Sequence, residues 1–174
     1  MILLGSVVNG GAVVVGGLVG MFVGKLLPER LRTSVMAALS LMTIGIAVPG
    51  LLKSNNALIP IISMVVGTLI GELLDIDSAV NKLGEKLQKR FSGSRVTEGF
   101  VTGSLVFAVG ALAVMGPLES GLQHQHSLLF SKSVIDGVAS IVFASTMGLG
   151  VALSGITVFV VEGSIALLAS VVAP

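Results

Sequence analysis

The 174-residue sequence contains no cysteine, no tryptophan and no tyrosine, and only 11% of its residues are charged. The absence of cysteine excludes disulfides and thiolate metal sites. The charged fraction is less than half of the roughly 25% found in a soluble domain, which indicates that the chain folds in lipid. A formal net charge of +1 lacks the basic excess that binding to nucleic acid requires, so no nucleic-acid partner is expected.

Apolar stretches fill most of the chain, which is 53% hydrophobic and has a mean hydropathy of +1.04. An open strand edge would leave backbone groups unpaired in lipid, so the segments are expected to be helices. Six of them approach the roughly 20 residues that cross a bilayer. They predict an all-α, polytopic membrane protein with six spans, at residues 2–24, 33–52, 57–76, 98–118, 130–153 and 155–173.

The longest polar stretch, residues 77–96, divides the chain into two predicted membrane halves, 1–76 and 97–174. Its apolar side chains recur at spacings of three and four, which predicts an amphipathic helix lying along the membrane surface. Most lysines and arginines fall in this stretch or in the loop after the first span. The positive-inside rule therefore predicts that these loops are cytoplasmic and that both termini are extracytoplasmic.

Three spans on either side of the polar stretch mean that an internal repeat would have to be inverted in the membrane. A few matches are compatible with such a three-plus-three repeat. They pair Gly5, Val7, Val15 and Gly16 with Gly99, Val101, Val109 and Gly110, and Ser34–Val35 with Ser133–Val134. An inverted repeat would favour a transporter-like fold with its site near the membrane midplane.

The fifth predicted span carries ionisable side chains that lipid disfavours, at a cost of roughly 2.5–3.5 kcal/mol each near the helix centre. Lys132, Asp136 and Ser140 follow one another at intervals of four residues and so share one side of a helix. Two interpretations are open. Lys132 and Asp136 could pair within their helix while Lys132 extends to the membrane interface, or the side could line a solute pathway.

Two other spans each hold a polar side chain away from their predicted ends. Asn9 would form either a helix–helix hydrogen bond or a ligand contact. Glu162 is the deepest carboxylate, about 11 Å into the last predicted span at 1.5 Å per residue. It would serve either proton or cation coupling and substrate binding, or a protonated contact between helices. The predicted pathway residues are therefore Asn9, Lys132, Asp136, Ser140 and Glu162.

Other functional classes find little support. His124 and His126 share a short loop but have no clear third ligand, so no metal site is predicted. No span offers a nucleophile and base that would form a catalytic pair, so the chain is not expected to be an enzyme. No cofactor is predicted.

Several stretches together resemble a known family, across essentially the whole chain. They are LLGSVVNGGAVVVGGLVG at 3–20, LPERLR at 27–32, GTLIGELLDID at 67–77, TEGFVTGSLVFAVGALAVMGPLESGL at 97–122 and LLFSKSVIDGVASIVFASTMGLGVALS at 128–154. The sequence resembles the bacterial membrane-protein family called domain of unknown function 554. The Lys-Ser-x-x-Asp element at Lys132, Ser133 and Asp136 is the most specific part of that resemblance.

The resemblance implies a multi-pass protein of the bacterial inner (plasma) membrane, of a kind often described as transporters but without an assigned activity. It also implies further hydrophobic helix after Pro174, so we expect this chain to be shorter than its relatives. The leading hypothesis is a small transporter or channel for a small solute or ion. Six short spans are few to enclose a pathway, which favours a homodimer. The alternative is a non-transporting membrane scaffold or assembly factor, with the polar residues holding helices together.

Overall fold

The computed structural model describes residues 1–52, 58–75 and 96–172, together with the isolated positions 78, 82, 85 and 86. These residues are almost entirely helical and contain no strand, which confirms the all-α prediction. The predicted surface helix over 77–96 lies almost wholly outside the described residues. The described helices are α1 (Leu4–Val23), α2 (Glu29–Leu52), α3 (Leu58–Leu73), α4 (Val96–Ala108), α5 (Ala111–Gln123), α6 (Ser127–Met147) and α7 (Leu149–Val172).

Within the described part of the chain, four helices are long and apolar enough to cross a membrane: α1, α2, α6 and α7. Helices α4 and α5 reach that length only as a pair bent by 56°, so the described residues form up to five spans. The third predicted span, residues 57–76, corresponds to α3, whose 16 described residues fall short of the roughly 20 needed. The polytopic α-helical class is thus confirmed, although fewer spans are found among the described residues than were predicted.

Helices α1 and α6 run parallel and share a seam of small residues. Gly5 lies against Leu129, Gly16 against Gly137, and Gly24 against Ser145 near the far end of both helices. Glycines let the two backbones approach closely, and such packing is a main source of helix association in lipid. Gly16, Gly20 and Gly24, which follow one another at intervals of four residues, therefore form a contact surface for α6.

Helix α7 runs antiparallel to α1 and packs against both α1 and the α4–α5 pair. A methyl group added at Gly10 would lie 2.9 Å from the Gly155 carbonyl oxygen, so these two backbones are in close contact. On its other side, α7 contacts Gly103 of α4 and Gly121 of α5. The core of the described protein is consequently built from α1, α4, α5, α6 and α7.

These directions place the ends of the core helices in two groups. The N-terminus, residues 124–126 and Val172 lie at one end, called here the N-terminal end. Gly24, the start of α2 and the turn at Gly148 lie at the other, called the Gly148 end. The charged residues Glu29, Arg30 and Arg32 therefore lie at the Gly148 end.

The predicted boundary between the last two spans is wrong. The predicted spans 130–153 and 155–173 meet at residue 154, but α6 ends at Met147 and α7 begins at Leu149. Gly148 makes the turn with φ 70° and ψ −145°, a conformation that residues with a Cβ atom strongly disfavour. Gly155 instead lies within α7, where its missing side chain admits α1. Glu162 is consequently about 20 Å along α7 rather than about 11 Å into its span.

The fourth predicted span, residues 98–118, is not one continuous helix as expected. Helix α4 ends at Ala108 and α5 begins at Ala111, with Gly110 between them in an extended conformation of φ 164° and ψ 165°. An extended residue interrupts the backbone hydrogen-bond ladder, so carbonyl groups in the last turn of α4 lose their helical partners. The break lies beside α6 and the polar residues described below.

Helices α2 and α3 lie outside the core. Helix α2 contacts chiefly α6, and large apolar side chains along it remain exposed, among them Leu41, Met42, Ile44 and Val48. The described side chains of α3 are nearly all exposed, including those of Met64 and Leu69. Such apolar surfaces suit contact with lipid or with another transmembrane helix. The three-plus-three inverted repeat stays a prediction.

Candidate functional site

Four of the five predicted pathway residues come together inside the core. Asn9 on α1, Lys132 and Asp136 on α6, and Glu162 on α7 form one buried group, called here the polar cluster. Asn9 and Glu162 are fully buried, and Lys132 and Asp136 are 5% and 6% exposed. Asp136 lies about 13 Å along α6 from Ser127, so the cluster is deep in the span.

The Asn9 side chain joins the two carboxylates. Its Nδ2 atom donates to Asp136 Oδ2 at 3.1 Å and to Glu162 Oε1 at 2.8 Å. Both amide hydrogens are therefore used, and the bonds connect α1 to α6 and α7. The close packing of α1 at Gly5 and Gly10 brings this short side chain within reach of both partners.

Lys132 points into the core and does not extend to the interface. Its ammonium group forms an ion pair with Asp136 on the same helix, and its Nζ atom lies 3.4 Å from Glu162 Oε1. It also donates to the Phe107 carbonyl oxygen at 2.7 Å. The pairing with Asp136 four residues later is thus present, but as part of a buried group that includes α4 and α7.

The Phe107 carbonyl is available because α4 ends one residue later. In a continuous helix this oxygen would accept from the backbone N–H of residue 111, but the extended Gly110 separates the two helices. The C-terminal end of a helix also carries a partial negative charge that attracts a cation. The break therefore supplies Lys132 with a backbone ligand and a favourable field.

Ser140 is the predicted pathway residue that lies apart from the polar cluster. Its hydroxyl donates to the Gly137 carbonyl oxygen of its own helix at 2.8 Å, and its side chain packs against Gly16 of α1. It is fully buried. Its position is therefore that of a small residue at the α1–α6 contact, one turn beyond Asp136.

Two buried oxygen atoms of the polar cluster have no hydrogen-bond partner in the described structure: Asn9 Oδ1 and Glu162 Oε2. The described residues contribute two carboxyl groups and one ammonium to the cluster. If both carboxyl groups were ionised, the cluster would carry a net charge of −1 away from water. Such an arrangement is costly unless another positive charge or a proton compensates it.

A cavity of about 300 Å³ reaches the polar cluster from the side of α2. Lys132 and Asp136 form part of its wall, while the remaining wall comes from α2, the α4–α5 break and apolar residues of α6. Gly110 and Phe107 line it at the break. The cavity thus gives one face of the cluster access to space outside the core.

A second cavity, of about 610 Å³, lies between α2 and α6 toward the Gly148 end. Glu29 and Arg32 line its outer part. Met36, Ser40 and Phe143 line both cavities. The Phe143 ring also meets the Phe107 ring edge-on, with centroids 5.9 Å apart, so Phe143 lies at the border between the two cavities.

The two loop histidines take no part in this site. His126 Nδ1 lies 2.8 Å from Ser120 Oγ, and the Ser120 hydroxyl also donates to the Ile2 carbonyl oxygen, which connects the loop to the N-terminus. Among the described residues, no group of three or more His, Cys, Asp or Glu side chains is arranged to hold a metal.

The sequence did not predict the contribution of Phe107, because every residue has a backbone carbonyl and the residue type does not show which one is free to accept a hydrogen bond. The available signal was Gly110, a glycine in the middle of an apolar span and one of the residues in the predicted repeat. The cavity residues of α2 were also missed, since nothing in TSVMAALSLMTIG distinguishes the side that faces α6.

Comparison with known proteins yields one family and two relatives, one of which is named as a membrane protein. Residues 4–174 match the family described as "protein of unknown function (DUF554)". An "uncharacterized membrane protein YdfK" of Bacillus subtilis (strain 168) is 29% identical over 173 residues, which cover 97% of this chain and 74% of the relative.

An "uncharacterized protein YqgA" of Escherichia coli (strain K12) is 26% identical over 178 residues, covering 98% of this chain and 76% of that protein. No solved structure matches. The family match extends over the polar cluster and all the described helices. The chain therefore belongs to the DUF554 family of membrane proteins.

Proposed function

We propose that this protein is a small transporter or channel that moves a small solute or ion across the bacterial inner membrane. The observation that carries the proposal is a buried polar cluster that touches both a broken helix and a cavity. Ionisable residues within a span usually face a protein interior or a water-filled space and often belong to a transport pathway. We do not propose an enzymatic activity or a cofactor.

The broken α4–α5 span supports this function. In many transporters, interrupted helices place free backbone carbonyls and helix ends at a site near the midplane, where they contact the substrate or a coupling ion. Here the break presents the Phe107 carbonyl to Lys132. Lys132 and Asp136 line the same cavity as the residues of the break. A helix break frees backbone groups that need other partners in lipid, and here Lys132 supplies one to the Phe107 carbonyl.

The two cavities suggest the route. They follow one side of α2 from Glu29 and Arg32 to Lys132 and Asp136, with Met36 and Phe143 between them. Motion of Phe143 would join the two spaces. The solute would then enter from the Gly148 end and meet its first buried charged groups at Lys132 and Asp136.

The alternative is a membrane scaffold in which the polar cluster only holds helices together. The bonds of Asn9 to Asp136 and Glu162 favour this alternative, because they connect three helices and are fully buried. The two functions differ in one physical property, which is whether water reaches the cavity side of the cluster.

Single cysteines test that difference, since the natural chain has none. Thr43→Cys on α2 and Ala139→Cys on α6 place thiols in the cavity wall. Leu41→Cys, at a side chain 70% exposed, and Val134→Cys, at one 68% exposed, place thiols on the outer faces of the same helices. Each variant is reconstituted in lipid vesicles and treated with a membrane-impermeant thiol reagent, which reacts only where water reaches the thiol.

We expect Thr43→Cys and Ala139→Cys to react while their lipid-facing controls do not. Reaction from both sides of the membrane would indicate alternating access or an open pore. If all four thiols stay unreactive in folded protein, the cavity is dry and the scaffold function replaces the proposed one.

The membrane orientation and the assembly are part of the proposal. Arg30 and Arg32 lie at the Gly148 end, so we propose that this end is cytoplasmic and that both termini are extracytoplasmic. The exposed apolar sides of α2 and α3 are compatible with a homodimer in the lipid bilayer.

A further inference from the structure

The polar cluster contains one charge more than its own residues can balance. Lys132 compensates one of the two carboxyl groups, and its ammonium already has three oxygen neighbours: Phe107 O, Asp136 Oδ2 and Glu162 Oε1. The ammonium thus occupies the position that a bound metal cation would take among these oxygens. The remaining charge is more easily compensated by a proton, which needs no cage of ligands.

The hydrogen-bond pattern indicates where that proton would reside. Asn9 and Glu162 are already joined by the 2.8 Å bond from Asn9 Nδ2 to Glu162 Oε1. The second oxygen of each group, Asn9 Oδ1 and Glu162 Oε2, is buried without a partner. A carboxylic acid facing an amide forms two bonds, in which the amide N–H donates to one oxygen and the acid O–H donates to the amide oxygen. One proton on Glu162 would therefore satisfy both unpartnered atoms.

We propose that Glu162 binds a proton on Oε2, held by Asn9 Oδ1, and that this proton is the ion coupled to transport. The coupling of this proton to transport rests on the proposed function, whereas the proton site itself rests on the geometry of Asn9 and Glu162. Loss of the proton leaves a carboxylate in the same place, which then competes with Asp136 for Lys132 and for the Asn9 amide.

The charged groups around Glu162 define how the proton is exchanged. From α6, Lys132 and Asp136 face it; α1 carries no ionisable residue and contributes Asn9. In α4 and α5 the ionisable residues are Glu98, in the first turn of α4 at the Gly148 end, and Glu119, near the N-terminal end. Asp136 lines the cavity and shares the Asn9 amide with Glu162, so exchange with water proceeds past Asp136.

Infrared difference spectroscopy of the full chain in lipid vesicles tests this proposal directly, because a protonated carboxyl group has a C=O band separate from the carboxylate bands. Spectra are recorded at neutral and at strongly alkaline pH for the natural chain, Glu162→Gln and Glu98→Gln. Glu98 is exposed at the first turn of α4 and serves as the matched control. Glutamine preserves the shape of Glu162 and can still form two bonds with the Asn9 amide.

We expect a carboxylic-acid band at neutral pH that disappears in Glu162→Gln and remains in Glu98→Gln. In Asn9→Leu the band should move, since the acid would lose its hydrogen-bond acceptor. A thermal unfolding curve for each variant shows whether the protein remains folded, and only folded variants are compared.

Absence of a Glu162-dependent acid band at neutral pH would overturn the proposal. So would a Glu162 carboxylate band that shifts on addition of sodium or potassium chloride, which would assign the compensating charge to a metal cation. Either result leaves the cysteine experiment unaffected, so failure of the proton site is distinguishable from failure of the transport function.

Discussion

At the scale of single residues, Lys132 holds the polar cluster together by its charge. Its ammonium contacts both carboxyl groups and the Phe107 carbonyl, so three helices depend on one side chain. Removing one partner of a buried ion pair leaves the other charge unpaired and typically costs about 3–5 kcal/mol. Replacing both partners by neutral groups of similar shape costs much less.

We therefore expect Lys132→Met to lower the free energy of unfolding by about 3 kcal/mol or more. The double variant Lys132→Met with Asp136→Asn should recover a large part of that loss. The loss in Lys132→Met should grow as the pH rises, because protonation at low pH neutralises the Asp136 carboxylate that Lys132 no longer pairs. Unfolding in mixed micelles, followed by circular dichroism at several pH values, measures all three effects. An unchanged stability in Lys132→Met would show that the ion pair contributes nothing.

At the scale of helices, glycine position decides which backbones touch. The glycines of α1 contact α6 and α7, whereas Gly11 on the same helix has open space where a side chain would be. A methyl group at Gly20 would collide with the Ile141 carbonyl of α6. Both positions are glycines of α1, but only Gly20 is in contact with another helix, so Gly11 is a matched control for a substitution at Gly20.

Gly20→Ala should destabilise the protein by about 1–3 kcal/mol, the usual cost of forcing extra atoms into a packed interface. Gly11→Ala should be neutral or stabilising by up to about 1 kcal/mol, since alanine is the better helix former. The same micelle unfolding assay compares them. Equal effects at both positions would contradict the α1–α6 contact described here.

The role of a glycine also depends on its position at the C-terminal end of α4. The break at Gly110 turns the Phe107 carbonyl from a helical acceptor into a ligand for Lys132. An apolar span and a functional break therefore coexist in a segment whose composition, GFVTGSLVFAVGALAVMGPL, resembles that of a regular membrane helix.

At the scale of the whole molecule, the core helices place specific residues at opposite ends. Arg30 is exposed at the start of α2, at the Gly148 end, and Gln125 is exposed between α5 and α6, at the N-terminal end. The excess of positive charge near Arg30 favours a cytoplasmic location for that end. The orientation can be read from these two positions alone.

In intact bacteria, we expect Gln125→Cys to react with an impermeant thiol reagent added outside, and Arg30→Cys to react only after the inner membrane is opened. The outer membrane, where present, is permeabilised first so that the reagent reaches both positions equally. The reverse pattern would mean that the protein is inserted in the opposite orientation.

The sequence by itself determined that this is a helical membrane protein, because its scarcity of charge and its long apolar segments leave lipid as the only suitable solvent. It also singled out Asn9, Lys132, Asp136 and Glu162, since polar side chains are conspicuous in an apolar span. Local pattern does not record which helices are neighbours. The tertiary structure decided that these four residues meet, while Ser140 packs against α1 instead.

The turn at Gly148 and the break at Gly110 were likewise decided by packing. Several glycines in these segments could end a helix on local preference, and the break and the turn fall at Gly110 and Gly148, where an added methyl group would meet no other atom within 4 Å. Gly155 lies within α7 in close contact with α1, whereas Gly148 has open space around it and turns the chain. The physical reason is that close backbone contact in lipid depends on partners distant in the sequence, which no local window contains.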